Sequence, residues 1–448
     1  SMMLFGPTEA AAVLPSMLSS AALTGVVLWW CRRRATVRHA WWAGLLAALL
    51  PVEILAATTI TASPLTDALL ACGTAALLGA SASRTGRITA ACCLGLAPAV
   101  HPMAWFYLGA LGAAVLIIAP RRFGRTLVLV AASAVLCAAV ELGVWAFLYG
   151  DPSLKARVLA RILHSPSVIP ERTLTLEKAA WAWQHLLVSK GFGLAVPVAL
   201  GGGLLAWRRL DASLRVLAGA ALLYWCWIGF GSYLPWCYRP ITPTVRYLHP
   251  MVLPVCVLLA AAVTDPVRSR VAARATGAAV LLSCLVASLA SGSWGQNVEI
   301  SRELLDYARR HPELRFVTDL YTINEMYVLN GLRTPANVLA TPHARLRRRM
   351  DPGVTCMPAQ GPWPADAILV NPLNLLRSPS EQQDFRARAG DRLHRTAVAW
   401  RPICRWIPAL RDPAWAVRKP PAEVLSLRPG QADGSGAGAS TAPVGGPG

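Results

Sequence analysis

Three carboxylates interrupt long apolar segments of this sequence. Glu53 and Glu141 lie inside such segments, and Asp67 lies at the start of another. An ionisable side chain at membrane depth is costly unless it is paired, so each of the three is a candidate functional residue. Each also has a structural explanation: Asp67 near a helix N-terminus can act as a cap, and the two glutamates can link helices as buried polar contacts. Both interpretations stay open at this stage.

A second candidate site is the segment Ser232–Pro250, which is rich in aromatic residues and contains Arg239, Arg246 and Tyr247. The planar guanidinium group suits phosphate oxygens, and aromatic faces suit sugar rings and apolar chains. A site for a lipid-linked phosphate needs this mixture beside a membrane. An ordinary interfacial loop with snorkelling arginines has a similar composition. His101, after a short apolar segment, is a further candidate, although a lone histidine is more often a hydrogen-bonded structural residue.

The composition places these residues in a membrane protein. The chain has 448 residues, of which 55% are hydrophobic and 15% charged, whereas soluble domains carry about 25% charged residues. The formal net charge is +20. The basic residues form short clusters between apolar runs, not one continuous patch, which argues against a nucleic-acid-binding surface.

Ten apolar segments approach the length of about 20 residues that a helix needs to cross a bilayer. Ile88–Val100 is short and open to a re-entrant interpretation, and Met251–Val263 suffices only if it extends back to about Tyr247. The sequence therefore predicts an α-helical polytopic membrane protein of about ten transmembrane helices. The segments are Ala10–Trp30, Trp41–Thr59, Leu65–Ser81, Ile88–Val100, Met103–Ala119, Thr126–Tyr149, Gly191–Trp207, Val216–Gly231, Met251–Val263 and Gly277–Ser291.

Arginines collect in alternate loops between these segments, and the positive-inside rule assigns such loops to the cytosol. The segment Ser232–Pro250 and everything after Trp294 then lie on the extracytoplasmic side of a bacterial inner or plasma membrane. The clusters are Arg32, Arg33, Arg34 and Arg38; Arg84 and Arg87; Arg121, Arg122 and Arg125; Arg208, Arg209 and Arg215; and Arg268, Arg270 and Arg274.

The sequence changes character near residue 294. We expect a membrane domain over residues 1–293, a small extracytoplasmic α/β domain over 294–429 and a disordered tail over 430–448. Strands are predicted at residues 314–319 and at Ala367–Val370, with a helix over Asn324–Leu329 between them. If this domain is extracytoplasmic, Cys356 and Cys404 could form a disulfide, and the sequence does not decide whether they do. The sequence contains no zinc-type Cys/His spacing, HExxH, GxSxG or glycine-rich phosphate loop, so it predicts no metal ligands, and the use of a divalent metal stays open.

The order of these features resembles the membrane glycosyltransferases of the C-type fold (GT-C), in particular the dolichyl-phosphate-mannose protein mannosyltransferase and aminoarabinose transferase branch (glycosyltransferase family 39-like). Each motif has low specificity, and their order and sidedness carry the resemblance over nearly the whole chain. The motifs are Leu4-Phe5-Gly6 with Ala12–Ser16, Arg38–Trp42 with Leu49-Leu50-Pro51, Thr66–Leu70, Arg246–Pro250 with Pro254, and Ala308–Asp319.

The resemblance implies transfer of a sugar from a polyprenyl-phosphate donor to a glycan, lipid or protein acceptor on the extracytoplasmic face. Asp67 would shape the donor site, Arg246 and Arg239 would stabilise the leaving phosphate, and His101 and Tyr247 are further donor-binding candidates. The family's first span and its acidic catalytic loop are expected before Leu4, so we expect the catalytic carboxylate upstream and doubt that the chain is active without it. Two other interpretations remain: a transporter or flippase, which buried carboxylates and a broken helix also fit, and a non-catalytic membrane subunit.

Overall fold

A computed structural model of the chain describes residues 9–34, 36–57, 63–79, 83–155, 157, 191–232, 245–264, 270–291, 296–331, 333–341, 363–375, 379–395 and 421–427. The chain divides into two compact units. The membrane unit is Val13–Ser291, and the second unit comprises Ser1–Ala12 and Gly292–Gly448. Cys356, Cys404, Arg239 and the predicted tail over 430–448 lie outside the described residues.

The membrane unit is built from helices. Four stretches are long and apolar enough to cross a membrane, namely Val13–Arg34, Pro120–Tyr149, Ala212–Phe230 and Tyr247–Thr264, and four shorter helices are also apolar. This confirms the prediction of a polytopic helical membrane protein. The helices are α1 (Glu9–Arg34), α2 (Val37–Leu49), α3 (Pro51–Ala57), α4 (Ser63–Gly79), α5 (Arg84–Val100), α6 (Ala104–Ile118), α7 (Pro120–Tyr149), α8 (Ala195–Leu205), α9 (Ala212–Phe230), α10 (Val252–Thr264) and α11 (Arg270–Ser291), with 3₁₀ turns at Trp207–Arg209 and Val245–Met251.

The inner and outer helices of the membrane unit differ in exposure, as expected for a protein in lipid. Helix α10 is almost entirely enclosed by its neighbours, whereas α7 presents large apolar side chains outward, including Val128, Val135 and Phe147, which are 68%, 68% and 88% exposed. Lipid tails solvate such a surface at no cost, so helix association here depends on close packing. Gly95 of α5 shows how close: a Cβ at this position would lie 2.3 Å from the Ser133 hydroxyl of α7.

The predicted span Trp41–Thr59 is wrong as one continuous helix, because the chain breaks at Leu50. Leu50 has extended backbone angles (φ −61°, ψ 127°) and ends α2, and α3 begins at Pro51. Proline has no N–H to donate, and its ring disfavours a helical conformation in the preceding residue. The Val52 N–H donates to the Gly191 carbonyl at 2.9 Å. This break places Glu53 in the first turn of a new short helix.

Both marginal segments are helical. Helix α5 begins earlier than predicted, at Arg84, and ends at His101, whose backbone is extended. The 3₁₀ turn Val245–Met251 leads directly into α10, so the apolar stretch extends back to Tyr247, as the length argument required.

Several helices, running in opposite directions, carry arginines at the same end of the membrane unit. Helix α1 ends in Arg32–Arg34, α5 starts at Arg84, and α7 carries Arg121 and Arg122 in its first turn. We call this end of the membrane unit the arginine end. Helix α4 ends there too, since the Arg34 guanidinium donates to the Leu78 carbonyl in its last turn.

The second unit is an α/β structure, which confirms the predicted class. Its sheet has the order β2-β1-β3-β5-β4, in which β1 pairs in parallel with β2 and β3, and the other pairs are antiparallel. The two predicted strands are β1 and β3. Its elements are α12 (Gln296–Arg310), β1 (Phe316–Thr318), α13 (Leu320–Leu329), β2 (Val338–Ala340), β3 (Ala367–Val370), α14 (Pro372–Leu375), α15 (Pro379–Arg388), β4 (Ala389–Arg395) and β5 (Glu423–Leu427).

Asp319, predicted as the last residue of a strand, instead caps helix α13. Its carboxylate accepts hydrogen bonds from the backbone N–H groups of Tyr321 and Thr322, both at 2.9 Å. The group is fully buried. Burial raises the pKa of the Asp319 carboxyl to about 6, although the hydrogen bonds from Thr322 and Tyr321 act in the opposite direction.

Candidate functional site

Three ionisable side chains meet inside the membrane unit. One ligand atom each from Glu53, Asp67 and His249 lies within 4.8 Å of the other two. The three residues are only 3%, 3% and 4% exposed. Asp67 and Leu78 lie 11 residues apart on α4, which separates this cluster from the arginine end by about 16 Å along the helix.

Three different elements position the cluster. Glu53 follows the break at Pro51 in the first turn of α3, Asp67 lies in the second turn of α4, and His249 lies in the 3₁₀ turn before α10. Helix α4 already begins at Ser63, so Asp67 is inside the helix and is not its cap. The position of Asp67 therefore favours the functional interpretation over the capping one.

Asp67 and His249 form a buried hydrogen-bonded pair. The Asp67 Oδ2 atom and the His249 Nδ1 atom are 2.6 Å apart. A separation this short is typical of a bond assisted by charge. The carboxylate fixes the orientation of the imidazole ring. A carboxylate and an imidazole that share a proton are close to neutral overall, which reduces the cost of burying the two groups together.

Glu53 lies within 4.8 Å of the His249 imidazole but forms no hydrogen bond with it. Neither of its carboxylate oxygens has a hydrogen-bond partner among the described residues. The Ser20 hydroxyl of α1 lies nearby, but no hydrogen bond of normal geometry joins the two groups. A buried carboxylate without a partner must take up a proton, a cation or a hydrogen bond from a ligand. Glu53 is therefore the member of the cluster with capacity to interact with something else.

Aromatic residues hold the turn that carries His249. The Tyr224 hydroxyl of α9 donates to the Tyr247 backbone carbonyl at 2.6 Å. The Tyr224 ring packs edge-on against the Tyr107 ring of α6, with centroids 5.6 Å apart. The Tyr107 hydroxyl is 3.5 Å from the Thr74 hydroxyl of α4. Since Tyr107 and Tyr224 are fully buried, this chain of contacts fixes the turn relative to α4, the helix that carries Asp67.

Two carboxylates and one imidazole are a donor set that zinc accepts. Ligands bound to zinc at roughly 2.0–2.1 Å in a tetrahedron lie about 3.3 Å from one another. The separation of 2.6 Å between Asp67 and His249 is shorter than this, so their contact is a hydrogen bond. A cation would be held by Glu53, Asp67 and His249 only after Asp67 and His249 moved apart.

No protein-family model and no curated protein matches the chain. Two solved structures resemble it, both of ArnT from Cupriavidus metallidurans. The apo structure is 12% identical and the structure bound to undecaprenyl phosphate is 13% identical; each aligns with a TM-score of 0.55 over 95% of this chain and 85% of the other. The fold is GT-C-like. This confirms the fold that the sequence motifs suggested.

The other residues predicted from the sequence are not members of the three-residue cluster, and some lie outside the described residues. Glu141 is half-buried, forms an ion pair with Lys155 and accepts a hydrogen bond from the Trp145 ring N–H at 3.3 Å. It is therefore not an unpaired buried charge, and the pairing supports its structural interpretation. The His101 ring follows α5, and its Nδ1 accepts the Met103 N–H at 3.2 Å.

Only part of the loop that carries Arg239 and Arg246 belongs to the described residues. The Arg246 backbone belongs to the 3₁₀ turn Val245–Met251, three residues before His249, but its side chain lies outside the described residues, as does all of Arg239. Tyr247 contributes its backbone carbonyl to the turn and packs partly against the core.

Sequence reasoning missed His249 as a site residue. It stands in the segment Arg246–Pro250, which carried the GT-C resemblance, directly before the apolar stretch of α10. The rule that selected Asp67, an ionisable residue at the edge of an apolar segment, also applies to His249.

Proposed function

We propose that this chain is a membrane glycosyltransferase that moves a sugar from a polyprenyl-phosphate donor to an extracytoplasmic acceptor. The observation that carries the proposal is the buried cluster of Glu53, Asp67 and His249, with its unpartnered carboxylate, in a GT-C-like fold. The ArnT structure bound to undecaprenyl phosphate supports a lipid of this class as the donor. We assign the arginine end to the cytosol and the cluster to the half of the membrane unit nearer the extracytoplasmic face.

The proposed reaction is a substitution at the anomeric carbon of the sugar. The acceptor oxygen forms the new bond to this carbon, the bond from the carbon to the phosphate oxygen breaks, and the polyprenyl phosphate leaves with the electron pair. His249, held by Asp67, places positive charge where negative charge develops on the phosphate. Arg246 and Arg239 of the same segment add to this charge. The acceptor proton passes to a carboxylate acting as general base.

Glu53 has a separate role in this proposal. Both of its oxygens lack hydrogen-bond partners among the described residues, so Glu53 can accept hydrogen bonds from sugar hydroxyls. Such bonds would orient the donor before the leaving phosphate departs, which lowers the barrier by positioning. The acceptor is a glycan, a lipid or a protein.

The test is incubation of the full-length protein, in lipid nanodiscs, with polyprenyl-phospho-sugars labelled in the sugar. We expect the label to leave the lipid fraction, and Asp67→Asn and His249→Asn each to slow the transfer by roughly 100-fold or more, the usual cost of losing one preorganised electrostatic contact. Glu141→Gln is the matched control and should stay within about twofold. Unfolding midpoints show whether each variant is folded. Folded Asp67→Asn and His249→Asn variants with wild-type rates would overturn the assignment.

A second function has one specific observation in its favour. An unpartnered buried carboxylate beside the helix break at Leu50-Pro51 is also typical of proton-coupled or cation-coupled transporters. Proteoliposomes with a fluorescent short-chain polyprenyl phospho-sugar separate the two functions. Movement of the intact lipid across the bilayer, driven by a pH gradient and with the sugar–phosphate bond unbroken, would support transport. Release of the sugar from the lipid would support transfer.

A further inference from the structure

A cavity of about 1090 Å³ opens at the arginine end of the membrane unit, opposite the cluster. Its walls come from α1 and α4, and its mouth from the first turns of α5 and α7 together with the residue before α9. The charged residues at the mouth are Arg33, Arg34, Arg122 and Asp211. Neither the GT-C-like fold nor the proposed transfer reaction needs a site here, so the cavity requires its own explanation.

The mouth has more positive than negative charge. Three arginines face one aspartate there, which leaves a net charge of +2. Asp211 is partly engaged already, since it caps α9 by accepting the Leu214 N–H at 2.8 Å and lies 3.7 Å from the Arg34 guanidinium. Arg33 and Arg122 form no ion pair within the described part of the chain, and each lies over an aromatic ring. The surplus charge is therefore available to an anion.

Arg34 and Trp30 form the inner wall of the mouth. Arg34 is fixed by its bond to the Leu78 carbonyl and lies 5.0 Å above the Trp30 ring. Trp30 is 2% exposed, and its ring N–H has no hydrogen-bond partner among the described residues. That nitrogen lies near Gly79, another residue of the cavity wall, since a Cβ on Gly79 would be 3.7 Å from it. A buried donor beside the cavity, without a partner among the described residues, indicates a place for an acceptor.

Away from the arginines, the cavity is lined mainly by small and apolar residues, with Cys72 and Thr89 as its polar exceptions. Ala22, Gly25 and Val26 of α1 face small residues of α4, among them Ala75 and Ala76. A Cβ at Gly25 would meet nothing within 4 Å, so the space beside this glycine is open. Ala22 and Arg33 are 11 residues apart on α1, which gives the cavity a length of about 16 Å along the helix. The cavity is thus charged at its mouth and apolar along its length.

We propose that this cavity binds an anionic, phosphate-bearing amphiphile, with the phosphate at Arg33, Arg34 and Arg122 and an apolar chain between α1 and α4. Arginine forks suit phosphate oxygens, and basic pockets between membrane helices bind anionic lipid headgroups. The start of α5, capped by Ser83, adds the positive end of a helix dipole to the mouth. The same phosphate chemistry has two sources, a membrane lipid or free phosphate, and the apolar interior favours the lipid.

The test measures binding to the full-length protein in an uncharged detergent, by native mass spectrometry, with short-chain phosphatidylglycerol, short-chain phosphatidylcholine and inorganic phosphate as probes. In detergent no charged bilayer contributes a general attraction. The double variant Arg33→Gln/Arg122→Gln removes two cavity charges. The double variant Arg32→Gln/Arg121→Gln removes two charges from the neighbouring positions, which do not line the cavity. Gly25→Leu fills the open space without changing the charge.

We expect wild type to bind phosphatidylglycerol more tightly than phosphatidylcholine. The cavity double variant should weaken phosphatidylglycerol binding roughly thirtyfold, the effect of losing two phosphate contacts, and the neighbouring double variant by no more than about twofold. Gly25→Leu should weaken both lipids and leave inorganic phosphate unaffected.

Two results would overturn the proposal. Equal losses in the two double variants would show a general charge effect at this end of the protein. Equal binding of inorganic phosphate and phosphatidylglycerol, unaffected by Gly25→Leu, would show a free-phosphate site in place of a lipid site. Neither result depends on sugar transfer, so the proposed function stands or falls separately.

Discussion

Two carboxylates of the same cluster are expected to affect stability in opposite directions. Glu53→Gln should stabilise the membrane unit, and Asp67→Asn should destabilise it. The reason is that Asp67 has a hydrogen-bonded partner in His249, whereas both Glu53 oxygens lack a partner among the described residues. Removing a satisfied charge leaves its partner buried alone, while removing an unsatisfied one relieves a cost.

The structure sets the magnitudes. The pair of Asp67 and His249 is close to neutral, so the main cost at Glu53 is burial of a carboxylate with no hydrogen-bond partner among the described residues, which is about 1–3 kcal/mol. Protonation of Glu53 relieves part of this, so Glu53→Gln should gain about 1–2 kcal/mol. Asp67→Asn loses a charge-assisted hydrogen bond and should cost about 2–3 kcal/mol. At roughly 2–4 °C per kcal/mol, the midpoints should move up by about 2–8 °C and down by about 4–12 °C.

Buried thiols offer a direct assay of unfolding. Cys31, Cys256 and Cys284 are free and buried in the membrane unit, so a thiol-reactive dye reports their exposure on heating. Cys92 is exposed and is replaced by Ser in every variant to remove its early signal. Glu141→Gln is the control, because its half-exposed ion pair with Lys155 should contribute less than about 1 kcal/mol. If Glu53→Gln lowered the midpoint as much as Asp67→Asn, Glu53 would have a partner in the folded protein and the reasoning would fail.

Three further predictions follow from individual contacts. Tyr224→Phe should lower the free energy of unfolding by about 1 kcal/mol and slow sugar transfer, because it removes the hydrogen bond to the Tyr247 carbonyl. Tyr107→Phe, whose hydroxyl contact is longer, should cost less than half of that. Equal losses would argue against the role of the turn. Chelation with EDTA should leave the midpoint unchanged, because His249 Nδ1 is already engaged by Asp67; a fall reversed by Zn²⁺ would show a bound cation. The second unit should lose about 2 kcal/mol of stability as pH rises from about 4 to 6, because the unfolded chain releases the Asp319 proton first. Hydrogen exchange of the α13 amides in the full chain measures this, and Asp319→Asn should remove that contribution; parallel curves for the two proteins would contradict it.

The membrane helices were predictable because a bilayer leaves the backbone few alternatives. Without water to bond, an apolar segment of sufficient length must satisfy its own N–H and C=O groups as a helix. The break at Leu50-Pro51 was the exception, although the rule that a proline disfavours a helical preceding residue was available. Hydropathy predicts one continuous helix across this proline, because it does not register that proline lacks a backbone N–H donor.

The sheet of the second unit was predictable only in its buried centre. Strands β1 and β3 are short apolar runs with every residue buried, so hydrophobicity reveals them. Strand β4, Ala389–Arg395, is polar and mostly exposed at the sheet edge, and it pairs only with β5. Edge strands of this kind depend on pairing with a distant segment, which local composition does not encode.

The sequence predicts two residues of the candidate site, Glu53 and Asp67, but not the contact between Asp67 and His249. Glu53 and Asp67 were selected because charge in an apolar segment is costly, and the structure brings them together. The pairing of Asp67 with His249 joins residues 182 positions apart. Nothing in either local segment specifies that partner, because the contact depends on how α4 and the turn before α10 pack.

Helix α4 connects the cluster with the cavity, and this gives a final prediction about independence. Asp67 lies near its start, and the Leu78 carbonyl near its end accepts from Arg34. The two contacts are about 16 Å apart along the helix, beyond the distance at which substitutions usually interact. The losses in unfolding free energy from Asp67→Asn and Arg34→Gln should therefore add to within about 0.5 kcal/mol in the double variant. A larger deviation would mean that α4 moves as a rigid rod between the two ends, so that an occupant of the cavity would alter the position of Asp67.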